Sequence, residues 1–118
     1  MFYEYHQLYL RKDGNLNLSI KLEDKTMIWN IRINSVDDVF NLFGKSKKFP
    51  AQVEENSDKT KLVDEGDITL GVQRHGYHEY FLEGNKFESK LHFRVVPIEG
   101  EDYWVAFTSV KQKPVEEE

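Results

Sequence analysis

Histidine is the residue type in this chain best suited to bind a metal or move a proton, and four histidines occur, at positions 6, 75, 78 and 92. His75 and His78 are three residues apart. That spacing brings two ligands together on a helix, whereas on a strand the two side chains point to opposite faces. We therefore expect surface histidines with ordinary partners and predict no metal site, no catalytic residue and no cofactor. The chain has no cysteine, which excludes disulfides and cysteine-based zinc or redox sites.

A second group with chemical potential is Lys90, His92 and Arg94, which alternate along the sequence and would share one face of a strand. A guanidinium group binds phosphate through two parallel hydrogen bonds, so this face is a candidate phosphate site. The more common role of such a face is the solvent-exposed side of an amphipathic strand. The basic connector 45–48 would attract an anion in the same way, with the same alternative.

Tyrosines form a third pattern, because Tyr3, Tyr5 and Tyr9 would lie on one strand face. Exposed aromatic rows stack on nucleic-acid bases. More often such a row belongs to the core of a barrel, and we expect that role here. The sequence contains no glycine-rich phosphate loop, no G-x-S-x-G nucleophile motif and no H-E-x-x-H zinc motif.

Short strands must position these residues, because apolar and polar residues alternate along most of the chain. The predicted strands cover 3–11, 16–22, 27–33, 49–55, 68–72, 77–83, 91–96 and 104–110. Helical spacing occurs at Val36, Val39, Phe40 and Phe43. The polar segment 56–65 is expected to be a loop. The pattern predicts a mainly β fold, a small antiparallel β-barrel of about eight strands or a sandwich, with one short helix. We expect a single domain, 1–110, and a charged flexible tail, 111–118.

Charge limits the partners. The net charge is −5, and Glu116, Glu117 and Glu118 supply three of the negative charges. Nonspecific affinity for nucleic acid depends on lysine and arginine neutralising phosphates, so the chain is not a general polyanion binder, although a local basic patch remains open. The sequence has neither a secretory signal pattern nor an apolar run near the ~20 residues of a membrane span. We expect a cytoplasmic protein without membrane contact.

Several segments, in order, resemble the 3′-phosphoesterase domain of bacterial DNA ligase D and its small archaeal relatives. The run 5–14, YHQLYLRKDG, has the apolar spacing and Asp-Gly turn of that family's motif His-Tyr-Asp-Leu-Arg-Leu-Glu-x-Asp-Gly, and Trp29 follows one strand later. The run 52–56, QVEEN, and then Glu65-Gly66, are similar to its next signature. The segments 82–87, 91–96 and 104–107 are similar to its ending. The resemblance implies a compact β-barrel connected with DNA repair.

The catalytic residues of that family are replaced in this chain. In the family, the hairpin His and Asp help to bind a divalent metal and the Arg engages phosphate. The matching positions here are Tyr5, Gln7 and Tyr9, and Asn56 matches a later His. Tyrosine and glutamine are poor ligands for divalent metals. The resemblance therefore implies a ligand groove lined by these four residues, and His92 and Arg94 complete our candidate set.

Three hypotheses for function follow. The first is a non-catalytic relative of a DNA-end-processing phosphoesterase, acting as a binding or accessory module for nucleic-acid ends or for a protein partner. The second is an active metal-dependent phosphoesterase with a relocated site built from His75, His78 or His92. The third is a small structural or protein-interaction domain, which an exposed apolar patch or an unpaired edge strand would favour.

Overall fold

A computed structural model describes residues 4–45, 47–55 and 60–109 of the chain. The predicted fold class is confirmed: the protein is mainly β, a closed barrel of eight antiparallel strands with one short helix among the described residues. The strands are β1 (Tyr5–Leu10), β2 (Leu16–Lys21), β3 (Thr26–Ile31), β4 (Phe49–Glu54), β5 (Lys61–Arg74), β6 (Tyr77–Gly84), β7 (Glu88–Ile98) and β8 (Glu101–Ser109). The helix, α1 (Asp37–Lys45), lies between β3 and β4. The predicted tail, 111–118, falls outside the described residues.

The barrel closes in the order β1-β2-β3-β4-β8-β7-β6-β5, with β5 returning to pair with β1. Neighbouring strands place apolar residues side by side in the interior, as in the row formed by Leu8, Leu18 and Trp29. Trp29 stacks on Phe93 with ring centroids 3.9 Å apart and meets Trp104 edge to face at 5.1 Å. Because alternate residues of each strand fill this core, the remaining residues form the outer face.

The tyrosine row of β1 does not belong to the core, so our expectation for it was wrong. Leu8 is buried opposite Leu18 inside the barrel, and strand alternation therefore turns Tyr5 and Tyr9 to the outer face, where both are half-buried. Tyr3 lies outside the described residues. A buried histidine, His6, takes an interior position on the same strand, and its Nδ1 lies 3.1 Å from the carbonyl oxygen of Asp67.

Strand β5 starts at Lys61, so the prediction of a loop through residue 65 was also wrong. Asp64 breaks the alternation of apolar and polar residues, because it is polar but occupies a buried position of β5. There it binds the turn between β6 and β7. Its carboxylate accepts hydrogen bonds from the backbone N–H groups of Lys86 and Phe87, each at 2.9 Å. These bonds satisfy the carboxylate at a buried position.

The two ends of the barrel differ. At one end α1 covers the core with Val39 and Leu42, and the hydroxyl of Thr108 donates a hydrogen bond to the Leu42 carbonyl. The other end opens into a cavity of about 660 Å³ whose lining includes Lys25 and His78. Within the described residues, no helix is long and apolar enough to cross a membrane.

Candidate functional site

The candidate residues predicted from the sequence fall on two separate parts of the barrel. Tyr5, Gln7 and Tyr9 share the outer face of β1, whereas His92 and Arg94 share the outer face of β7. Strands β5 and β6 lie between β1 and β7 on the shorter way round the barrel. The structure therefore does not bring the two groups into one groove. Asn56, the fourth residue of the groove predicted around β1, lies outside the described residues.

The face around β1 is occupied by a network of polar side chains that bind one another. Glu54 lies at its centre and accepts hydrogen bonds from Arg11 at 2.6 Å, and from Asn30 and Gln52 at 2.8 Å each. The hydrogen bonds from Asn30 and then Arg11 lower the pKa of Glu54 from 4.5 to about 2. Nearby, Gln7 donates to Glu65 at 3.2 Å. The Glu54 bonds tie the residue after β1 to β3 and β4, and the Gln7 bond joins β1 to β5, so these side chains have a structural role.

The second group lies on a different kind of surface, where the outer residues of three strands are directly opposite one another. Tyr77 pairs with Arg94, Glu79 pairs with His92, and His92 pairs in turn with Phe107 of β8. We call this surface the basic aromatic face and define it by its outward side chains and two flanking cations: Tyr77, Glu79, Phe81, Lys90, His92, Arg94, Phe107, Ser109, Arg74 and Lys48.

Cations lie over the rings of this face. Lys48 Nζ is 5.7 Å from the centroid of Phe107, and Lys90 Nζ is 5.4 Å from that of Phe81. The guanidinium of Arg74 lies 5.5 Å from the Tyr77 centroid. The attraction between a cation and the face of an aromatic ring favours this arrangement. Arg74, Arg94 and Lys48 are exposed, so their charges are available to an anion.

Glu79 carries the only carboxylate among the residues that define the face, and it is largely withdrawn, with 11% of its side chain exposed. Burial by itself raises the pKa of Glu79. Hydrogen bonds from Tyr77, from the Val72 backbone N–H and from Lys90 outweigh burial and lower it overall. Gly71 makes room for this carboxylate, because a Cβ there would lie 2.5 Å from Glu79 Oε1. Within the residues that define the face, four cations therefore accompany one carboxylate, and Glu83 and Glu88 continue the same outward rows beyond Phe81 and Lys90.

His92 links three of these side chains in one hydrogen-bonded chain. Its Nδ1 lies 2.6 Å from the Tyr77 hydroxyl, and its Nε2 lies 2.8 Å from Ser109 Oγ. Tyr77 gives its single proton to Glu79 at 3.0 Å, so the tyrosine oxygen accepts the Nδ1–H of His92. Nε2 is then the acceptor of the Ser109 hydroxyl. Burial lowers the pKa of His92, so the ring is neutral near pH 7, as this arrangement of donors and acceptors requires.

The remaining histidines lie elsewhere. His75 and His78 line the cavity at the open end, where His78 Nδ1 is 2.7 Å from Gln73 Oε1 and burial lowers the His78 pKa. His92 is on the outer face of the barrel, apart from both. Among the residues that the structure describes, no group of three or more His, Asp or Glu side chains could hold a metal ion.

Sequence reasoning identified one strand of the basic aromatic face and missed the others. Alternation at 90–94 correctly placed Lys90, His92 and Arg94 together. Alternation also occurs at 77–81 and 105–109, but it does not reveal which strands are neighbours or which residues are opposite. Tyr77, Glu79 and Phe107 therefore could not be assigned to this surface before the register was known.

No protein-family model, curated protein or solved structure matches the chain. The likeness to the phosphoesterase domain of DNA ligase D stays a prediction from the sequence.

Proposed function

We propose that this chain is a non-catalytic binding module that holds single-stranded nucleic acid, within a strand or at an end, on the basic aromatic face. One observation carries the proposal. Lys48, Arg74, Lys90 and Arg94 surround three aromatic rings on one side of the barrel, although the whole chain has a net charge of −5. Single-stranded nucleic acid is recognised by this combination of aromatic rings and positive charge.

The two components have distinct roles. Bases stack on aromatic side chains with about 1–3 kcal/mol per base, and stacking depends little on sequence. A base that stacks on Phe81 or Phe107 must take the ring face that a lysine now covers, and the displaced lysine can then pair with the phosphate of the same nucleotide. His92 stacks on Phe107, so a base reaches that ring only on the side away from His92. Arg94 is exposed in the row between Tyr77 and Val105 and supplies a guanidinium for a second phosphate.

The charge of the rest of the chain limits the affinity. Four cations that neutralise four phosphates of a single strand give a slope of about −3 for log K against log salt. We therefore expect weak, salt-sensitive binding rather than tight nonspecific binding. The resemblance to the phosphoesterase domain implies a role in DNA repair. That role predicts that the chain binds recessed 3′ ends more tightly than plain single strands.

The test is a fluorescence-anisotropy titration at low salt with labelled single-stranded DNA and RNA, a blunt duplex and a 3′-recessed duplex. We expect single-stranded and recessed substrates to bind better than the blunt duplex. Replacing Arg74 and Arg94 together by alanine should weaken binding at least tenfold. The matched control replaces two exposed lysines away from the face, Lys12 in the β1–β2 turn and Lys21 on β2, across the barrel from β7, and should leave binding within twofold. Equal losses in both variants, or no saturation, would contradict the proposal.

Manganese separates this proposal from the phosphoesterase hypothesis. Each titration is repeated with manganese, and the oligonucleotides are then examined by denaturing gel. The proposal predicts intact oligonucleotides and the same affinity with and without the metal. Manganese-dependent removal of a 3′ phosphate or nucleotide would overturn the non-catalytic assignment in favour of a metal-dependent enzyme.

A further inference from the structure

Helix α1 has apolar residues on two sides, and only one of them is used by the core. Val39 and Leu42 are buried in the end of the barrel. Val36, in the turn directly before the helix, and Phe40 are 65% and 69% exposed. Phe43 continues this stripe and is half-buried, because it also packs against the edge of the core. Residues at i, i+4 and i+7 line one face of a helix. An apolar stripe at this spacing is therefore available to a partner.

This stripe is one wall of a groove of about 520 Å³ that we call the helix groove, lined by Val36, Phe40, Phe43, Leu62, Phe87, Lys61, Lys86 and their neighbours. Phe87 of the β6–β7 turn stacks on Phe43, with centroids 4.8 Å apart and planes 14° apart. The same ring meets Phe40 edge to face at 6.1 Å. On the other side, Leu62 of β5 is 43% exposed. The two aromatic contacts pack the β6–β7 turn against α1 and so join two walls of the groove.

The charged side chains that line the helix groove are all positive. Among the described residues that line it, the only charged side chains are those of Lys61 and Lys86. In a chain with a net charge of −5, an apolar groove bordered by two cations repels a basic segment and attracts an acidic one. The apolar walls alone would accept any helix with an apolar stripe. The two lysines favour those helices that also carry carboxylates beside the stripe.

We propose that the helix groove docks an amphipathic helix of another protein, whose apolar stripe packs against Val36, Phe40 and Phe87 and whose flanking carboxylates meet Lys61 and Lys86. Laying an amphipathic helix into an apolar groove is a common way for proteins to recognise one another. The groove lies beside the closed end of the barrel, and it shares no residue with the basic aromatic face. The module can therefore hold a protein partner and a nucleic acid on different surfaces.

The test uses two synthetic helical peptides with the same leucine stripe, one flanked by glutamates and the other by lysines, titrated against the full chain by fluorescence anisotropy. The glutamate peptide should bind about fivefold more tightly, which is the preference that two exposed ion pairs supply. Lys61→Glu combined with Lys86→Glu should reverse the preference. Equal affinity for the two peptides, or an unchanged preference in the double variant, would overturn the proposal.

A second pair of variants tests the apolar contact. Phe40→Ser should weaken both peptides, whereas Val72→Ser, at an exposed valine away from the groove, should weaken neither. Circular dichroism and the melting temperature establish that each variant folds. Sedimentation velocity is run on the unmodified chain in parallel. Self-association that Phe40→Ser abolishes would mean that the groove binds a second copy, and it would contradict an acidic helix as the partner. The peptide titrations do not depend on nucleic acid. If the chain fails to bind nucleic acid, the proposal for the helix groove still stands or falls on the peptide results.

Discussion

Glu54 offers the sharpest test of how the outer face around β1 is held together. Its carboxylate receives three side-chain hydrogen bonds, from Asn30, Arg11 and Gln52, and these lower its pKa from 4.5 to about 2. That difference corresponds to about 3.4 kcal/mol of preference for the ionised form. The side chain is 21% exposed, so solvent screening reduces the contribution, and we expect Glu54→Gln to cost about 2 kcal/mol at pH 7.

The pH dependence gives the same prediction a second check. Because the pKa of Glu54 is depressed in the folded protein, its stabilisation is present above pH 4.5 and is lost as the pH falls toward 2. The difference between the unmodified chain and Glu54→Gln should therefore be constant from pH 7 to about 5 and should shrink below pH 4.5. The measurement is urea unfolding followed by the fluorescence of Trp29 and Trp104, with Glu55→Gln as control.

The control residue is adjacent in sequence, exposed and carries the same charge, so it reports any general effect of removing one carboxylate. We expect Glu55→Gln to change the free energy of unfolding by less than about 0.5 kcal/mol. The reasoning is refuted if Glu54→Gln is equally mild at pH 7. It is also refuted if the cost of Glu54→Gln is the same at pH 3.5 as at pH 7.

Three further predictions concern stability. Gly71→Ala places a Cβ 2.5 Å from Glu79 Oε1, so it should lower the free energy of unfolding by about 1–2 kcal/mol in urea. In Gly44→Ala the added Cβ lies 3.9 Å from the nearest side-chain atom, so the variant should raise the free energy of unfolding by about 0.5 kcal/mol. A lower free energy of unfolding would contradict the helical conformation of residue 44. Burial lowers the pKa values of His6 and His92, so the unfolded chain binds more protons below pH 6.5. Stability should therefore fall between pH 7 and 5.5, and a flat profile would contradict burial of both rings.

Local sequence patterns were enough to identify the elements of the fold but not their arrangement. Alternation predicted eight strands, because each strand buries every second residue in one core. It failed at 61–65, where Asp64 is polar yet faces inward to bind the turn at Lys86 and Phe87. The choice between barrel and sandwich depended on the pairings of β4 with β8 and β1 with β5, which join strands far apart in sequence.

For the candidate site, too, the sequence predicted local features but not how distant strands are arranged. The shared face of His92 and Arg94 was predictable, since residues two apart on a strand point the same way. Their separation from Gln7 was not, because it depends on the two strands, β5 and β6, that lie between β7 and β1. The exposure of Phe40 also escaped prediction. Helical spacing predicted the helix but not which of its apolar residues face the barrel, where α1 buries Val39 and Leu42 and packs Phe43 partly against the core.

The central claim is that single-stranded nucleic acid binds to the basic aromatic face, and chemical-shift mapping tests it most directly. Amide and aromatic signals of the isotopically labelled chain are followed during a titration with a short single-stranded DNA. We predict saturable, salt-sensitive changes concentrated at 77–81, 90–94 and 105–109, with little change in β2 and β3. Changes centred on the outer face of β1, or no change at millimolar DNA, would contradict the account.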